Sequence, residues 1–387
     1  MTKPRLHFVL AAGLAAGLLG ATGTAQAYPQ WQFSSGTARC SQCHYNPAGG
    51  GLINGYGRDA AGEELSTWEG DGAFAHGAIE LPKALAIGFD GRFAVMTHDV
   101  GEVTGSAFAY FPMQADVALR LAFTDSISLY GSAGYRGQAR SVDEPVGAGA
   151  AQPAGGSRFI SREHFLMWRP AALGPYVRAG RFFAPFGLRL AEHYTYVRRD
   201  TGYNLLEESY SVSVGWVKSN WELHLTGFGP DVVRYLGSTE RGGVGMVEVR
   251  PGDATALGAN VRVGMTDDRY RYTGGVFGKT YFEGAKSLIQ TELNLVYSTF
   301  PGGSVTTQGF VGYLGITFFP GTGFWITPYA ERVQTSIAVR NSATNGAGLQ
   351  LNWFPLPHWE IVGMGRFQAP EGDSTAMTGL LFLHYYL

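Results

Sequence analysis

The sequence predicts an all-β fold, a transmembrane antiparallel β-barrel of about 16 strands, and three observations support this prediction. From residue 84 to the end, apolar and polar residues alternate with a period of two, in segments that recur about every 10 to 20 residues. Aromatic residues make up 13 % of the chain and charged residues only 16 %, whereas an ordinary soluble domain is about one quarter charged. Beyond residue 27, no run of about 18 apolar residues could form a membrane-spanning helix.

Residues 1–27 are predicted to form a secretory signal peptide. Lys3 and Arg5 precede an apolar stretch, and Ala25-Gln26-Ala27 has the small residues of a cleavage site. We expect the mature chain to begin at Tyr28. Without the two basic residues of the signal, 27 of the 29 basic residues remain beside 31 acidic ones, a net charge of −4. This charge argues against a nucleic-acid partner.

Residues 28–82 are predicted to hold one covalently bound haem c. This segment contains both cysteines of the chain, in the sequence Cys40-Ser41-Gln42-Cys43-His44. Two thiols separated by two residues can form thioethers to both haem vinyl groups, and the adjacent imidazole can serve as the proximal iron ligand. The alternatives are a disulfide, a zinc site short of one ligand, and a chance occurrence. Because His44 directly follows the second cysteine in a chain expected to be exported, the pattern favours haem.

The opposite axial ligand has two candidates. His76 is the only other histidine of the segment, and it could equally be a loop residue near the barrel mouth. The other candidate is the free α-amine of Tyr28. The expected mature start Tyr28-Pro29, a dozen residues before the attachment motif, is similar to cytochrome f, whose terminal tyrosine amine binds iron.

The remainder of the segment is rich in glycine. The glycines at 49–51 and the stretch 54–57 could let the backbone approach a porphyrin face, since glycine has no Cβ, or they could simply form turns. One short amphipathic helix is predicted around Glu63, Glu64 and Leu65, ended by the glycines at 70–72. Residues 66–82 are expected to connect this segment to the barrel, which we place at 83–387.

Sixteen strands are predicted from the alternation, an even number as in single-chain bacterial barrels. They are 84–96, 108–123, 127–139, 158–170, 175–186, 208–218, 220–229, 242–250, 255–264, 269–278, 287–299, 307–319, 324–336, 344–354, 357–368 and 375–387. With the N-terminal segment in the periplasm, the outer connections 97–107, 140–157 and 187–207 are long and the inner ones at 124–126 and 171–174 are short, as expected. The pattern weakens at 265–286, so 14 strands remain an alternative.

The two faces of the strands are predicted to differ. In one strand Val117, Leu119 and Leu121 oppose Asp116 and Arg120, and the other strands follow the same rule. Aromatic residues cluster toward strand ends, as in the interfacial girdles of membrane barrels. These residues are Trp168, Tyr176, Trp216, Trp221, Trp353, Trp359 and Tyr385.

A barrel of this size normally leaves an aqueous channel, and the haem segment is the predicted plug.

Residues 180–189 resemble a strand-and-loop signature of phosphate-selective porins. The nearby arginines could form a cationic constriction or bind haem propionates; acidic neighbours favour a simpler interpretation, balanced lumen charge. Arg178 and Arg181 have opposite parity, so both should line the pore only if the strand has a bulge. The further arginines are Arg158, Arg162, Arg198 and Arg199, and the acids are Glu163, Glu192, Asp200, Glu207 and Glu208.

The predicted outer loops carry four acids, Asp143, Glu144, Asp231 and Glu240. They could attract cations such as ferrous iron, although isolated loop acids usually only contact water. The sequence contains no nucleophile motif, phosphate-binding loop or paired-carboxylate signature.

Taken together, a single c-type haem motif before an outer-membrane barrel resembles the fused monohaem cytochrome–porins of iron-oxidising bacteria. Cys40, Cys43 and His44 match that family's attachment motif, whereas the segment after His44 differs from it. The resemblance implies an electron conduit in the outer membrane of a Gram-negative bacterium, exchanging electrons with a periplasmic cytochrome or similar carrier and with extracellular iron. Any enzymatic activity would then be that of an iron:cytochrome c oxidoreductase. The alternatives are a diffusion porin for small anions, with the haem segment as plug or sensor, and a haem peroxidase.

Overall fold

The computed structural model describes residues 29–99, 106–136, 159–204, 207–231, 239–300 and 306–387. Their strands form one antiparallel sheet that closes because the last strand pairs with the first. The strands are β1 Leu85–Asp99, β2 Ser106–Ala122, β3 Ile127–Arg136, β4 Phe159–Ile160, β5 His164–Trp168, β6 Gly174–Phe182, β7 Ser209–Val217, β8 Trp221–Phe228, β9 Arg241–Gly252, β10 Thr255–Met265, β11 Tyr270–Phe282, β12 Ser287–Thr299, β13 Thr306–Gly321, β14 Phe324–Gln334, β15 Ala343–Trp353, β16 Trp359–Pro370 and β17 Ala376–Tyr386. Strands β4 and β5 both pair with β3, so the described residues form a closed barrel of 16 strands.

The predicted count of 16 strands is confirmed, including residues 265–286, where the alternation is weak. Strands β10, β11 and β12 form two complete hairpins, joined by 266–269 and by a short 3-10 turn at Glu283–Ala285. Lys286 ends this turn with φ 42°, a left-handed conformation that reverses the chain within four residues. The alternative of 14 strands is therefore wrong.

Two predicted strands differ from the structure. The strand predicted at 158–170 is interrupted at 161–163, where Arg162 turns inward and its Nε donates to Asp116 Oδ2 at 2.6 Å. The strand predicted at 175–186 ends at Phe182, three residues before Pro185, which has no backbone N–H for a ladder. In both places a local side-chain or backbone constraint overrides the alternation.

The predicted difference between the two faces is confirmed. Leu225 is 49 % exposed on the outside, whereas Glu222 on the same strand is fully buried inside the barrel. Trp168 and Trp216 lie exposed near strand ends as expected for a girdle, but Tyr176 does not: it points into the lumen and bonds His224 Nδ1. An apolar outer belt around a polar interior places this barrel in an outer membrane. Among the helices of the described residues, none is long and apolar enough to cross a membrane.

The N-terminal segment, residues 29–84, plugs one end of the barrel. It contains a 3-10 turn at Pro29–Trp31, helix α1 at Cys40–Cys43, helix α2 at Gly55–Ala60 with a π-helical turn at Ala61–Leu65, and a 3-10 turn at Phe74–Gly77. Its apolar side chains pack against lumen-facing residues: Leu52 on Tyr130 and Phe165, and Leu65 on Trp325 and Phe354. This is the end with the short turns, which faces the periplasm in such barrels.

A second segment, residues 183–204, also folds into the lumen. The sequence predicts 187–207 only as a long outer connection, but Leu188, Leu190, Tyr196 and Val197 are buried against the barrel wall. Helix α3, Tyr196–Arg199, lies within it. We call residues 183–204 the inward loop. With the plug, it places two independent segments inside the barrel.

Candidate functional site

The two cysteines lie on one helical turn, with Cys40 at its start and Cys43 at its end. Residues three apart in a helix share a face, so the geometry directs both thiols to one side. Both are free cysteines, so the disulfide alternative is not observed. No group of three or more histidine, cysteine or acidic side chains suited to a metal ion occurs in the described part of the chain, which argues against the zinc alternative.

Two side-chain amides hold this turn in place. Gln42 Oε1 accepts from the amides of Ala38 and Arg39 at 2.9 and 3.0 Å, just before the turn. Asn54 Nδ2 donates to the carbonyl of Gln42 at 2.8 Å, and the Asn54 amide donates to the carbonyl of Cys43 at 2.8 Å. The same side chain caps helix α2 by accepting from the Gly57 amide at 2.9 Å. One asparagine thus ties the cysteine turn to the following helix.

Gly57 marks the closest contact between these two helices. A Cβ at this position would lie 2.4 Å from the carbonyl oxygen of Cys43, so only glycine lets α2 approach the turn this closely. Gly49, Gly50 and Gly51 all have positive φ and form the preceding loop. Gly57 therefore serves close packing of the two helices, which neither interpretation of the glycine-rich stretches predicted, and the triplet forms a turn.

His44 follows the turn in an extended conformation and forms an antiparallel bridge with Ile53. Its side chain is buried, and its Nδ1 has no hydrogen-bond partner among the described residues. Burial lowers the pKa of His44 to about 4, against a smaller opposing effect of the Gly51 and Gly50 carbonyls. The imidazole is therefore neutral at neutral pH, the form that coordinates metals.

A cavity that opens to solvent lies beside these three residues. Its remaining walls are largely apolar, with Trp31, Ile53 and Leu65 from the plug and Tyr386 from β17. Burial raises the pKa of the Cys40 thiol, and it raises that of Cys43 to about 12. Two free thiols and one neutral imidazole on the wall of one cavity are compatible with a covalently bound haem.

His76, one of the two distal-ligand candidates, does not line this cavity. His76 lies exposed at the barrel rim, where its Nε2 is 3.3 Å from the Tyr385 hydroxyl and its ring is 5.6 Å from that of His358. Tyr28 and the predicted signal peptide lie outside the described residues, although Pro29, the next residue, does line the cavity. Both candidates remain predictions.

Most arginines of the lumen are neutralised by acids. Arg189 Nη1 is 2.9 Å from Glu222, Arg162 is 2.6 Å from Asp116, and Arg199 is 3.2 Å from Asp200. Arg198 instead donates to backbone carbonyls, including that of Leu190 at 2.8 Å. Arg158 lies outside the described residues. Balanced lumen charge therefore describes these residues better than a cationic constriction.

Arg178 and Arg181 are both fully buried despite their opposite parity. The ladders of β6 show no register shift, so this burial does not come from a bulge. Arg178 stacks on the ring of Phe182 inside the lumen, 3.7 Å from its centroid. Arg181 is enclosed at the strand end by Glu208 and Asp231, at 3.3 and 3.5 Å. The interruption of the neighbouring strand at 161–163 provides the space that the Arg181 side chain occupies.

Two of the four predicted iron-attracting acids are paired with arginines. Asp231 pairs with Arg181, and Glu240 pairs with Arg262 and Arg271 at 2.5 and 3.2 Å. Asp143 and Glu144 lie outside the described residues.

A second, larger cavity lies between the plug and the inward loop. The glycines at 49–51 form one side of it, and Phe183, Phe186 and Arg189 form the other. It is separate from the cysteines, which do not line it.

Comparison with known proteins identifies the fold. No protein-family model matches the chain, and no curated protein matches it in sequence. Among solved structures, OprB of Pseudomonas putida is similar with a TM-score of 0.61 at 12 % identity, covering 84 % of this chain and 99 % of that one. The anion-selective porin of Comamonas acidovorans gives 0.59 at 10 % identity, over 79 % and 99 % of the two chains. OmpT of Vibrio cholerae gives 0.58 at 11 % identity, over 80 % and 100 %.

Fold and lumen together define a class, the porin-like β-barrels of the outer membrane. Within that class, this chain has a plug built around two free cysteines and a buried histidine.

Proposed function

We propose that this barrel is an outer-membrane electron conduit, with one haem c attached to Cys40 and Cys43 and His44 as its proximal ligand. One observation carries the proposal: two free thiols on a single helical turn lie beside a neutral, buried imidazole on the wall of one cavity. When bound, the haem supplies one-electron chemistry.

The chain's own residues would hold and shield the group. Asn54 and Gln42 fix the turn that carries both thiols. Trp31, Leu65 and Tyr386 exclude water from part of the cavity, and such burial is one determinant of the iron potential. The position near the short-turn end supports exchange with a periplasmic cytochrome or another electron carrier, and extracellular ferrous or ferric iron is the proposed partner at the opposite end.

A second candidate is a diffusion porin for small anions, in which the haem segment acts as plug or sensor. The comparisons support a channel role better than electron transfer, because the similar structures include an anion-selective porin. The second cavity, between the plug and the inward loop, gives space for a solute, and its wall carries acids as well as arginines.

Two measurements on protein extracted from membranes separate the candidates. Reduced-minus-oxidised absorbance tests for covalent haem, and its absence would refute the conduit. Single-channel conductance of the haem-loaded protein tests for transport: a closed pore supports the conduit, whereas a substantial open current supports the porin.

Haem reduction in whole cells by external ferrous iron tests the electron donor. An iron site in the spectrum that is open and binds added ligands would support the haem peroxidase instead.

A further inference from the structure

Three arginines, Arg39, Arg120 and Arg169, surround the cysteine motif at the periplasmic mouth. They belong to three separate elements: the residue before α1, strand β2, and the turn after β5. None of them forms an ion pair with an acid in the described part of the chain, in contrast to most arginines deeper in the lumen. None was selected from the sequence as a site residue, although Arg39 directly precedes Cys40.

Arg120 and Arg169 both contact Tyr45, the residue that follows the motif. Arg169 Nη1 donates to the carbonyl of Tyr45 at 3.3 Å, and its Nη2 donates to that of Ala172 at 2.6 Å. The guanidinium of Arg120 lies over the Tyr45 ring, 4.5 Å from the centroid. Arg39 itself lines the cavity beside the cysteines and His44. The three charges therefore meet around the motif.

Their charges repel one another, and no acid of the described ranges forms an ion pair with any of the three. The pKa of Arg169 is lowered by burial, against an opposing effect of Tyr176, and the nearby Arg120 and Arg39 charges lower it further. The carboxylate acting on Arg39 is Glu222, which already binds Arg189 at 2.9 Å and also contacts Arg250. Partly buried charges without partners are costly, and a bound anion removes that cost.

We propose that Arg39, Arg120 and Arg169 form an oxyanion-binding site whose ligand is the pair of propionate carboxylates of the haem. This inference rests on the proposed function. Guanidinium groups bind carboxylates through paired N–H donors, and the propionates are the anions that the cofactor would bring to this mouth. A free oxyanion such as phosphate has the same chemistry and is the alternative source.

The site would also raise the potential of the iron. A positive charge near the haem disfavours the ferric state, which carries one more positive charge than the ferrous state. Removing an arginine should therefore lower the midpoint potential while leaving the thioether bonds intact.

The test compares Arg39→Gln, Arg120→Gln, Arg169→Gln and the triple variant with wild type by haem content and spectroelectrochemical midpoint potential. We expect an unchanged amount of covalent haem, a lower potential in each single variant and a larger decrease in the triple variant. Arg39→Lys keeps the positive charge, so its midpoint potential should lie closer to that of wild type than to that of Arg39→Gln. Arg241→Gln is the control, because Arg241 lies exposed beside Asp267 at the other end of the barrel. An unchanged potential in the triple variant would overturn the propionate assignment.

A phosphate titration of the haem-free variant, Cys40→Ala with Cys43→Ala, distinguishes the two sources. Phosphate binding that requires the arginines, together with an unchanged potential in the haem-loaded triple variant, would assign the site to a free anion. No phosphate binding and no change in potential would refute the site entirely. If wild type carried no haem, the proposed function would fail, and arginine-dependent phosphate binding alone would decide whether the anion site exists.

Discussion

Arg189 and Glu222 lie 2.9 Å apart, Nη1 to Oε1, and join the inward loop to the barrel wall. The same guanidinium contacts Glu248 at 3.0 Å and donates to the carbonyl of Ala48 in the plug at 3.2 Å. Arg189 has φ 61°, a conformation that non-glycine residues adopt only when their surroundings hold them there. Plug, loop and wall therefore meet at one side chain.

Replacing Arg189 by alanine should loosen this junction. Removing one partner of a buried ion pair leaves a buried charge and costs about 3 to 5 kcal/mol, although Arg250 continues to compensate Glu222. We expect faster proteolysis of the inward loop and a higher single-channel conductance. Arg199→Ala is the matched control in the same loop, because its partly exposed pair with Asp200 should contribute only about 0 to 1 kcal/mol. Equal effects of both substitutions would contradict a special role for Arg189.

His44→Ala should abolish the redox signal while the barrel still assembles. His44 is the proposed iron ligand, whereas barrel closure depends on the β1–β17 ladder, to which His44 does not belong. Absorbance spectra test the first expectation and heat-modifiable migration on gels tests the second. Ser41→Ala, on the same helical turn, should leave both unchanged. Loss of barrel assembly in His44→Ala would show that the plug is needed for folding.

Gly57→Ala should reduce the yield of attached haem. The new methyl group would meet the Cys43 carbonyl, so α2 or the cysteine turn must shift. Gly55→Ala on the same helix is the control, since a Cβ there meets nothing within 4 Å. Gly55→Ala should be neutral or stabilise helix α2 by up to about 1 kcal/mol. Covalent haem per barrel is the measurement, and equal yields in the two variants would refute the packing argument.

The docking of the connector 66–82 should weaken in acid. His358 lies buried in the turn after β15, and its Nε2 donates to the Gly72 carbonyl at 2.7 Å. Burial, with His76 and Arg58 nearby, lowers the pKa of His358 to about 4, against the opposing effects of the Gly72 carbonyl and Asp71. The unfolded chain, with a pKa of about 6.5, binds more protons between these values. The stability is therefore full above pH 6.5 and lost progressively as the pH falls toward 4.

Limited proteolysis of the connector at pH 7 and pH 5 measures this effect, and we expect faster cleavage at pH 5. His358→Gln keeps a donor for the Gly72 carbonyl but cannot be protonated, so its cleavage should depend less on pH. The same acid sensitivity in His358→Gln would assign the effect to another group.

Much of the barrel could be predicted because its environment imposes a simple rule. Lipid lies on one side of every strand and the lumen on the other, so residues such as Val117 and Asp116 must alternate. Prediction failed where local contacts override the alternation, as at Arg162, which turns inward to Asp116, and at Tyr176, which satisfies its hydroxyl on His224.

The sequence by itself determined the barrel fold, most of its strands, the outer-membrane class and the Cys40, Cys43 and His44 motif, because period-two patterning and motif spacing are local properties of the chain. Only the tertiary structure decided that there are 16 strands rather than 14, that residues 183–204 fold inward and that Arg189 joins plug, loop and wall. It alone brought Arg39, Arg120 and Arg169 together, with no ion pair to an acid among the residues that it describes. These relationships join residues far apart in sequence, and they depend on which side chains barrel closure brings together. Such pairings leave no periodic signal in a single sequence.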